Sequence, residues 1–80
     1  MKLKLLAFGI ATDIFGADKI FLEVDDQTTV KDLKQILEEK YDTLRKIRSY
    51  FVAVNEEYAE ENQILTCDSE IAIIPPVSGG

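Results

Sequence analysis

The last residues of the sequence are the part with the clearest chemical use. An apolar run, residues 71–74, leads directly into Pro75-Pro76-Val77-Ser78 and then Gly79-Gly80. Proline fixes φ and cannot donate to a sheet ladder, whereas glycine has no Cβ and adopts many backbone conformations. We therefore predict a stiff segment followed by a flexible tail, residues 77–80, whose terminal carboxylate can enter the active site of another protein.

The carboxylate of Gly80 needs activation before it can react. Its charge and resonance resist nucleophilic attack until one oxygen becomes part of a leaving group, which adenylation by ATP would achieve. The acyl adenylate could then accept sulfur and become a thiocarboxylate, with Gly79 contributing only its conformational freedom. A glycine pair at a chain end is also typical of a frayed terminus, and that alternative stands when the pair is considered alone.

The side chains elsewhere give little support for catalysis. The chain has no histidine, and its single cysteine, Cys67, lies beside Asp68, which disfavours the thiolate. Four glutamates lack the spacing of a calcium loop, and we interpret them as a solvated turn: Glu56, Glu57, Glu60 and Glu61. We expect no metal, no permanently bound cofactor and no enzymatic activity of the chain on its own.

Composition limits the partners and the compartment. Eighty residues, 46% hydrophobic and 30% charged, are enough for one folded domain, residues 1–76, ahead of the tail. A net charge of −6 disfavours nucleic acid as a partner. No apolar run is long enough to span a bilayer, and a lone cysteine suits a reducing compartment, so we expect a cytoplasmic protein without membrane attachment.

Hydrophobic periodicity predicts an α+β domain. Alternation or apolar, β-branched character predicts strands over residues 2–8, 19–24, 50–54 and 71–74, with a short edge strand at 57–59. Thr28 or Thr29 can cap a helix that runs to Tyr41, whereas 10–17 allows one or two helical turns and 42–49 reads as a charged connector. We predict a mixed sheet of four or five strands with one main helix packed on one face.

The ending 71–80 resembles the signature of the molybdopterin synthase small subunits, ubiquitin-like β-grasp sulfur carriers. The resemblance covers nearly the whole chain and includes Phe8-Gly9, Gly16, Thr29-Val30, Leu33 and the run from Val52 to Tyr58. The segment 11–18 departs from the family pattern because it lacks the usual basic residue.

The resemblance implies a reaction sequence and two protein partners. Gly80 would be adenylated with ATP by an adenylyltransferase similar to the ubiquitin-activating enzymes, and would then be thiocarboxylated. The tail would next enter the large subunit of molybdopterin synthase and supply dithiolene sulfur to cyclic pyranopterin monophosphate. Two carriers would serve each dithiolene, typically in a heterotetramer.

Partner binding is expected through apolar residues on the sheet face that points away from the helix, together with the stiff segment. The candidates are Leu6, Phe8, Phe21, Ile74, Pro75, Pro76, Val77 and Ser78. Strand curvature or a covering loop could instead bury Leu6 and Phe8. The basic cluster Arg45, Lys46 and Arg48 could pair with an acidic partner, although a solvated loop is the simpler interpretation.

Two other functions fit the same pattern. A carrier for thiamine synthesis or tRNA thiolation would share the fold, the glycine pair and the activation chemistry, but the Ile-Pro-Pro-Val-Ser spacing favours the pterin branch. A ubiquitin-like modifier would instead form an isopeptide bond between Gly80 and a lysine.

Overall fold

A five-stranded mixed sheet organises the residues described by the computed structural model, 1–47 and 50–76. The strands are β1 Lys2–Ala7, β2 Lys19–Glu23, β3 Phe51–Val54, β4 Glu57–Tyr58 and β5 Ile71–Ile74. Their order across the sheet is β2-β1-β5-β3-β4, in which β1 and β5 are parallel and the other neighbours are antiparallel. The predicted strands are confirmed, each within a residue or so of its expected ends.

The helices are α1 Ile10–Phe15, α2 Val30–Lys40 and α3 Asp42–Lys46. The predicted main helix is α2, which begins with a capping box: the Thr29 side chain accepts from the backbone N–H of Asp32, and the Asp32 carboxylate accepts from that of Thr29. Its buried positions, Leu33 and Leu37, follow helical spacing. Among the described residues, no helix is long and apolar enough to cross a bilayer.

The prediction of an irregular connector over 42–49 was wrong for its first part, because residues 42–46 form α3. Asp42 stands in the first turn, and its carboxylate lies 3.7 Å from Arg45 and 3.9 Å from Lys46. Leu44 is fully buried. A short charged segment becomes helical here because one leucine anchors it, while its charges are placed favourably along the helix. Arg48, the third member of the basic cluster, lies outside the described residues.

The core lies between α2 and one face of the sheet. On β1, Leu3, Leu5 and Ala7 are buried, as their alternation predicts, and the register pairs Leu5 with Ile71 and Ala7 with Ile73 of β5. Both isoleucines are fully buried. The chain is therefore an α+β domain of two layers in which β5 is a central strand, held on both sides immediately before the tail.

Candidate functional site

The root of the tail, Pro75-Pro76, follows the central strand β5. Neither proline can extend the ladder, since each lacks a backbone N–H. Pro75 is half-buried and Pro76 is exposed, so the chain passes from the sheet to the surface within two residues. The reactive residues predicted from the sequence, Gly79 and Gly80, and the predicted contact residues Val77 and Ser78 lie outside the described residues.

The turn between β1 and α1 lies against this root. Gly9 has φ 55 and ψ −134, and the backbone N–H of Ala11 donates to the carbonyl of Phe8 at 3.0 Å. A Cβ built on Gly9 would lie 3.1 Å from Cγ of Pro75. The two segments meet because β1 and β5 are parallel neighbours, so the chain leaves both strands at the same end of the sheet.

Three predicted partner-binding residues lie on the sheet face opposite α2, which we call the outer face: Leu6 of β1, Phe8 directly after β1, and Ile74 of β5. Phe8 is 51% exposed, whereas Leu6 and Ile74 are half-buried. The alternative that strand curvature or a covering loop buries Leu6 and Phe8 is wrong for Phe8. Their role in partner binding stays a prediction.

Phe21 lies on the outer face but at its margin. It is 55% exposed on the edge strand β2 and pairs in register with Lys4. The ammonium of Lys2 lies 5.4 Å from the centre of its ring, a cation–π distance. Because Leu6 pairs with Lys19, Phe21 is only a diagonal neighbour of Leu6. The structure thus groups Leu6, Phe8 and Ile74 more closely with one another than with Phe21.

Two aromatic residues that the sequence reasoning missed complete the outer face. Phe51 pairs in register with Ile74, and Tyr58 pairs with Ala53. Their rings stack with centroids 4.9 Å apart and an interplanar angle of 20°. Phe51 is 45% exposed and Tyr58 is 69% exposed. Alternation along β3 could have placed Phe51 on the outer face, since it stands between Tyr50 and Val52, which both face the core.

These residues form one apolar surface, which we call the apolar patch. Its members are Leu6, Phe8, Phe51, Ala53, Tyr58, Ala72 and Ile74, of which Ala53 is itself buried. The register places Tyr58, Ala53, Ala72 and Leu6 in one row across four strands. Grouped apolar exposure of this kind marks an interaction surface more often than scattered single residues do.

Two carboxylates border the patch. Glu56 and Glu70 line the same shallow depression, about 380 Å³, as Phe8, Tyr58 and Ile74. An apolar centre with a charged rim is the arrangement found in protein–protein interfaces. The negative charge at this part of the rim suits a partner that presents lysine or arginine there, whereas Lys4 and Lys19 lie beside Leu6 and Phe8 on the side of the patch toward β2.

The basic cluster and Cys67 are not members of the apolar patch. Arg45 and Lys46 of the predicted basic cluster belong to α3 and share Asp42. Cys67 is exposed and borders the outer face near Lys4 and Leu6. Across 1–47 and 50–76, no three acidic, cysteine or histidine side chains are grouped so that they could hold a metal ion.

Solved structures define the class of fold. The chain superposes on a putative molybdopterin converting factor subunit 1 from Pyrococcus furiosus with a TM-score of 0.87 and 20% identity, covering 96% of this chain and 99% of that one. It matches the ubiquitin of Caldiarchaeum subterraneum with a TM-score of 0.67 and 18% identity, over 100% and 98% of the two chains. The domain is a ubiquitin-like β-grasp fold.

Sequence comparison gives the family. The model of the ThiS family matches residues 5–80, and the chain belongs to that family. A relative from Arabidopsis thaliana, a molybdopterin synthase sulfur carrier subunit, is 35% identical over 81 residues, which cover 100% of this chain and 84% of the relative. Another of that name from Dictyostelium discoideum is 38% identical over 84 residues, covering 96% and 94%.

One solved relative is an assembly. Subunit 1 of the molybdopterin-converting factor from Helicobacter pylori, in a protein–protein complex with subunit 2, is 26% identical to this chain. The superposition has a TM-score of 0.69 and covers 100% of both chains.

Proposed function

We propose that the chain is a sulfur carrier, the small subunit of a molybdopterin synthase, and that it works through the carboxylate of Gly80. The carrier role is supported by relatives of that name that are 35% and 38% identical over most of their length. The observation that carries the proposal is the position of the tail root. Pro75 and Pro76 follow a buried central strand directly and reach the surface beside the apolar patch.

The proposed loading reaction uses only the chain end. A carboxylate oxygen of Gly80 attacks the α-phosphorus of ATP, and pyrophosphate leaves. Sulfur at the sulfide level, delivered by a donor, then attacks the acyl carbon, and AMP leaves with the bond electrons. The product is a thiocarboxylate, whose sulfur is the nucleophile in the next step. Both steps take place in the active site of an adenylyltransferase similar to the ubiquitin-activating enzymes.

Unloading takes place in the large subunit. The thiocarboxylate sulfur attacks a carbon of cyclic pyranopterin monophosphate, a carbon–oxygen bond at that carbon breaks with its electrons going to the oxygen, and the acyl carbon of Gly80 is left joined to the pterin through a thioester sulfur. Water then attacks that acyl carbon, so the sulfur remains on the pterin and the carboxylate of Gly80 is regenerated. Two rounds provide the two dithiolene sulfurs, which fits a heterotetramer of two small and two large subunits in the cytoplasm.

The apolar patch is the proposed docking surface for the large subunit, together with Phe21, Pro75 and Pro76. The assembly of a structurally similar subunit 1 with a subunit 2 supports this partner. The aromatic rings supply large contact areas at low entropic cost, and Glu56 and Glu70 would face basic side chains on the partner. Docking at this face brings the tail root to the interface.

Reconstitution tests the proposal. The chain, an activating enzyme, ATP, a sulfur donor and the large subunit should together convert cyclic pyranopterin monophosphate to molybdopterin. Deleting Gly80 should abolish conversion, while the unfolding midpoint in urea stays unchanged because the deleted residue follows the packed domain. Substituting exposed Gln35 by alanine is the control and should leave conversion unchanged. Conversion by the truncated chain would contradict the proposal.

The same reaction mixture separates the alternatives. A carrier for thiamine synthesis or tRNA thiolation would form the thiocarboxylate and yet fail to convert the pterin with any large subunit. A protein modifier would give covalent adducts with lysine side chains when incubated with cell extract and ATP. Either result would replace the pterin assignment.

A further inference from the structure

We propose that Gly9 is a positioning residue for sulfur transfer. By having no side chain, it lets Pro75 lie against the turn between β1 and α1, and this contact sets the direction in which the tail leaves the sheet. The inference rests on the proposed function and adds a role for Gly9, a residue far from the tail in sequence.

The geometry leaves little room for a side chain at this position. A Cβ on Gly9 would lie 3.1 Å from Cγ and 3.9 Å from Cδ of Pro75, and the first distance is closer than ordinary van der Waals contact. The backbone is held in place as well. The N–H of Ala11 donates to the carbonyl of Phe8 at 3.0 Å, and that of Thr12 donates to the carbonyl of Gly9 at 3.1 Å. A Cβ would therefore move the proline ring away from the turn by a few tenths of an ångström.

A displaced ring would change the direction of the backbone at the root of the tail. The ring fixes φ of Pro75, so a shift of the ring rotates the next peptide bond with it. Five residues follow Pro75, and a chain of that length spans at most roughly 17 Å. A rotation at the root therefore changes the point from which the predicted flexible tail starts and so the region that the carboxylate of Gly80 can reach, and the reacting atoms must align closely there.

Gly16 provides a matched control within the same chain. It ends α1, whereas Gly9 begins it, and both have positive φ, +76 and +55. A Cβ on Gly16 would meet nothing within 4 Å. Alanine strains the backbone at either position, and more at Gly9, whose ψ of −134 lies outside the left-handed helical region that Gly16 adopts. Only at Gly9 does it also press on the tail root.

The test measures kcat and KM for the carrier in thiocarboxylate formation with the activating enzyme, and in pterin conversion with the large subunit. We expect Gly9→Ala to lower kcat by about tenfold or more and to change KM by less than about threefold, since the apolar patch is intact. Gly16→Ala should stay within about twofold of the wild type in both constants. A kcat for Gly9→Ala equal to that of the wild type would overturn the inference.

A double-mutant cycle separates the contact from backbone strain. Pro75→Ala removes Cγ and Cδ, the two atoms that the new Cβ would meet. In this background the further effect of Gly9→Ala should fall below about twofold, since the strain persists but the contact is gone. If Gly9→Ala keeps its full effect there, strain is the cause and the inference is wrong.

Two further measurements cover the remaining outcomes. Where Gly9→Ala does not fold, Pro75→Ala alone should lower kcat for thiocarboxylate formation with the activating enzyme, and a wild-type kcat in that reaction would overturn the inference. A nuclear Overhauser effect between the Hα protons of Gly9 and the ring protons of Pro75 is expected in the wild-type chain whatever its activity, and its absence would also overturn the inference. If the wild type forms no thiocarboxylate, the proposed function itself fails, which distinguishes the two failures.

Discussion

The hydroxyl of Tyr50 donates a 2.7 Å hydrogen bond to Oε2 of Glu38 and so ties the approach to β3 to the last turns of α2. Tyr50 is 8% exposed, and the ammonium of Lys34 lies 5.3 Å from the centre of its ring. Burial raises the pKa of the Tyr50 phenol, and the bond to Glu38 and the charges of Glu38 and Glu61 raise it further. The phenol therefore keeps its proton in the folded chain at a pH where the unfolded chain loses it.

The raised pKa of Tyr50 predicts that the free energy of unfolding falls at high pH. Below about pH 10 both states hold the phenol proton, and the contribution of Tyr50 is fully present. Above that pH the unfolded chain binds fewer protons, so the free energy of unfolding should fall as the pH rises. Tyr50→Phe should lower the free energy of unfolding by about 1 kcal/mol at neutral pH and flatten its decline above about pH 10, measured by urea unfolding.

Tyr58→Phe serves as the control for this prediction, because Tyr58 is 69% exposed on the outer face. Tyr58→Phe should leave the decline of the free energy of unfolding at high pH as it is in the wild type. An equally steep decline for Tyr50→Phe and the wild type would show that the phenol of Tyr50 is not responsible.

The turn between β3 and β4 predicts a stabilising substitution. Val54 pairs with Glu57, so the loop consists of Asn55 and Glu56, whose φ values are 53 and 71. A two-residue loop with both φ values positive favours Asn-Gly. Glu56→Gly should raise the free energy of unfolding by about 1 kcal/mol, since it removes the cost of positive φ from a residue with a side chain.

The neighbouring position gives the matched comparison. Glu57 is in β4, outside the residues of positive φ. Glu57→Gly should lower the free energy of unfolding by roughly 0.5–1 kcal/mol, because glycine only adds chain entropy there. The same sign of change at both positions in urea unfolding would refute the explanation.

Substitutions in the apolar patch should weaken binding to the large subunit and change stability little. Phe8 is 51% exposed beside the tail root, so Phe8→Ser should weaken binding to the large subunit by about tenfold or more while changing the unfolding midpoint little. Ile64 is 54% exposed and pairs by a single bridge with Thr29, at the start of α2. Ile64→Ser should leave the affinity unchanged, as measured by titration calorimetry. Equal losses from both variants would argue against docking at the outer face.

The fold was predictable where its signals are local. The alternation of β1 separates Leu3 and Leu5 from Lys2 and Lys4, and Thr29 with Asp32 marks the start of α2. In contrast, α3 depends on the burial of Leu44 by the rest of the fold, which a charged run does not reveal. Tertiary packing decides such short helices.

For the candidate site, too, local features were predictable from the sequence and contacts between distant segments were not. The exposure of Phe8 followed from alternation, whereas the stack of Phe51 on Tyr58 required the register of β3 with β4. The contact of Gly9 with Pro75 required the parallel pairing of β1 with β5. Pairings between distant parts of the chain cannot be read from a single periodic pattern, since many registers share it.

Mass spectrometry of the intact chain tests the central claim most directly. After incubation with an activating enzyme, ATP and a sulfur donor, the wild-type chain should gain about 16 Da, because sulfur replaces one oxygen of the carboxylate of Gly80. The chain that lacks Gly80 should show no gain, and omission of ATP should abolish the gain in the wild type. The same gain in the truncated chain, or an unchanged wild-type mass under conditions where a known carrier is loaded, would contradict the account.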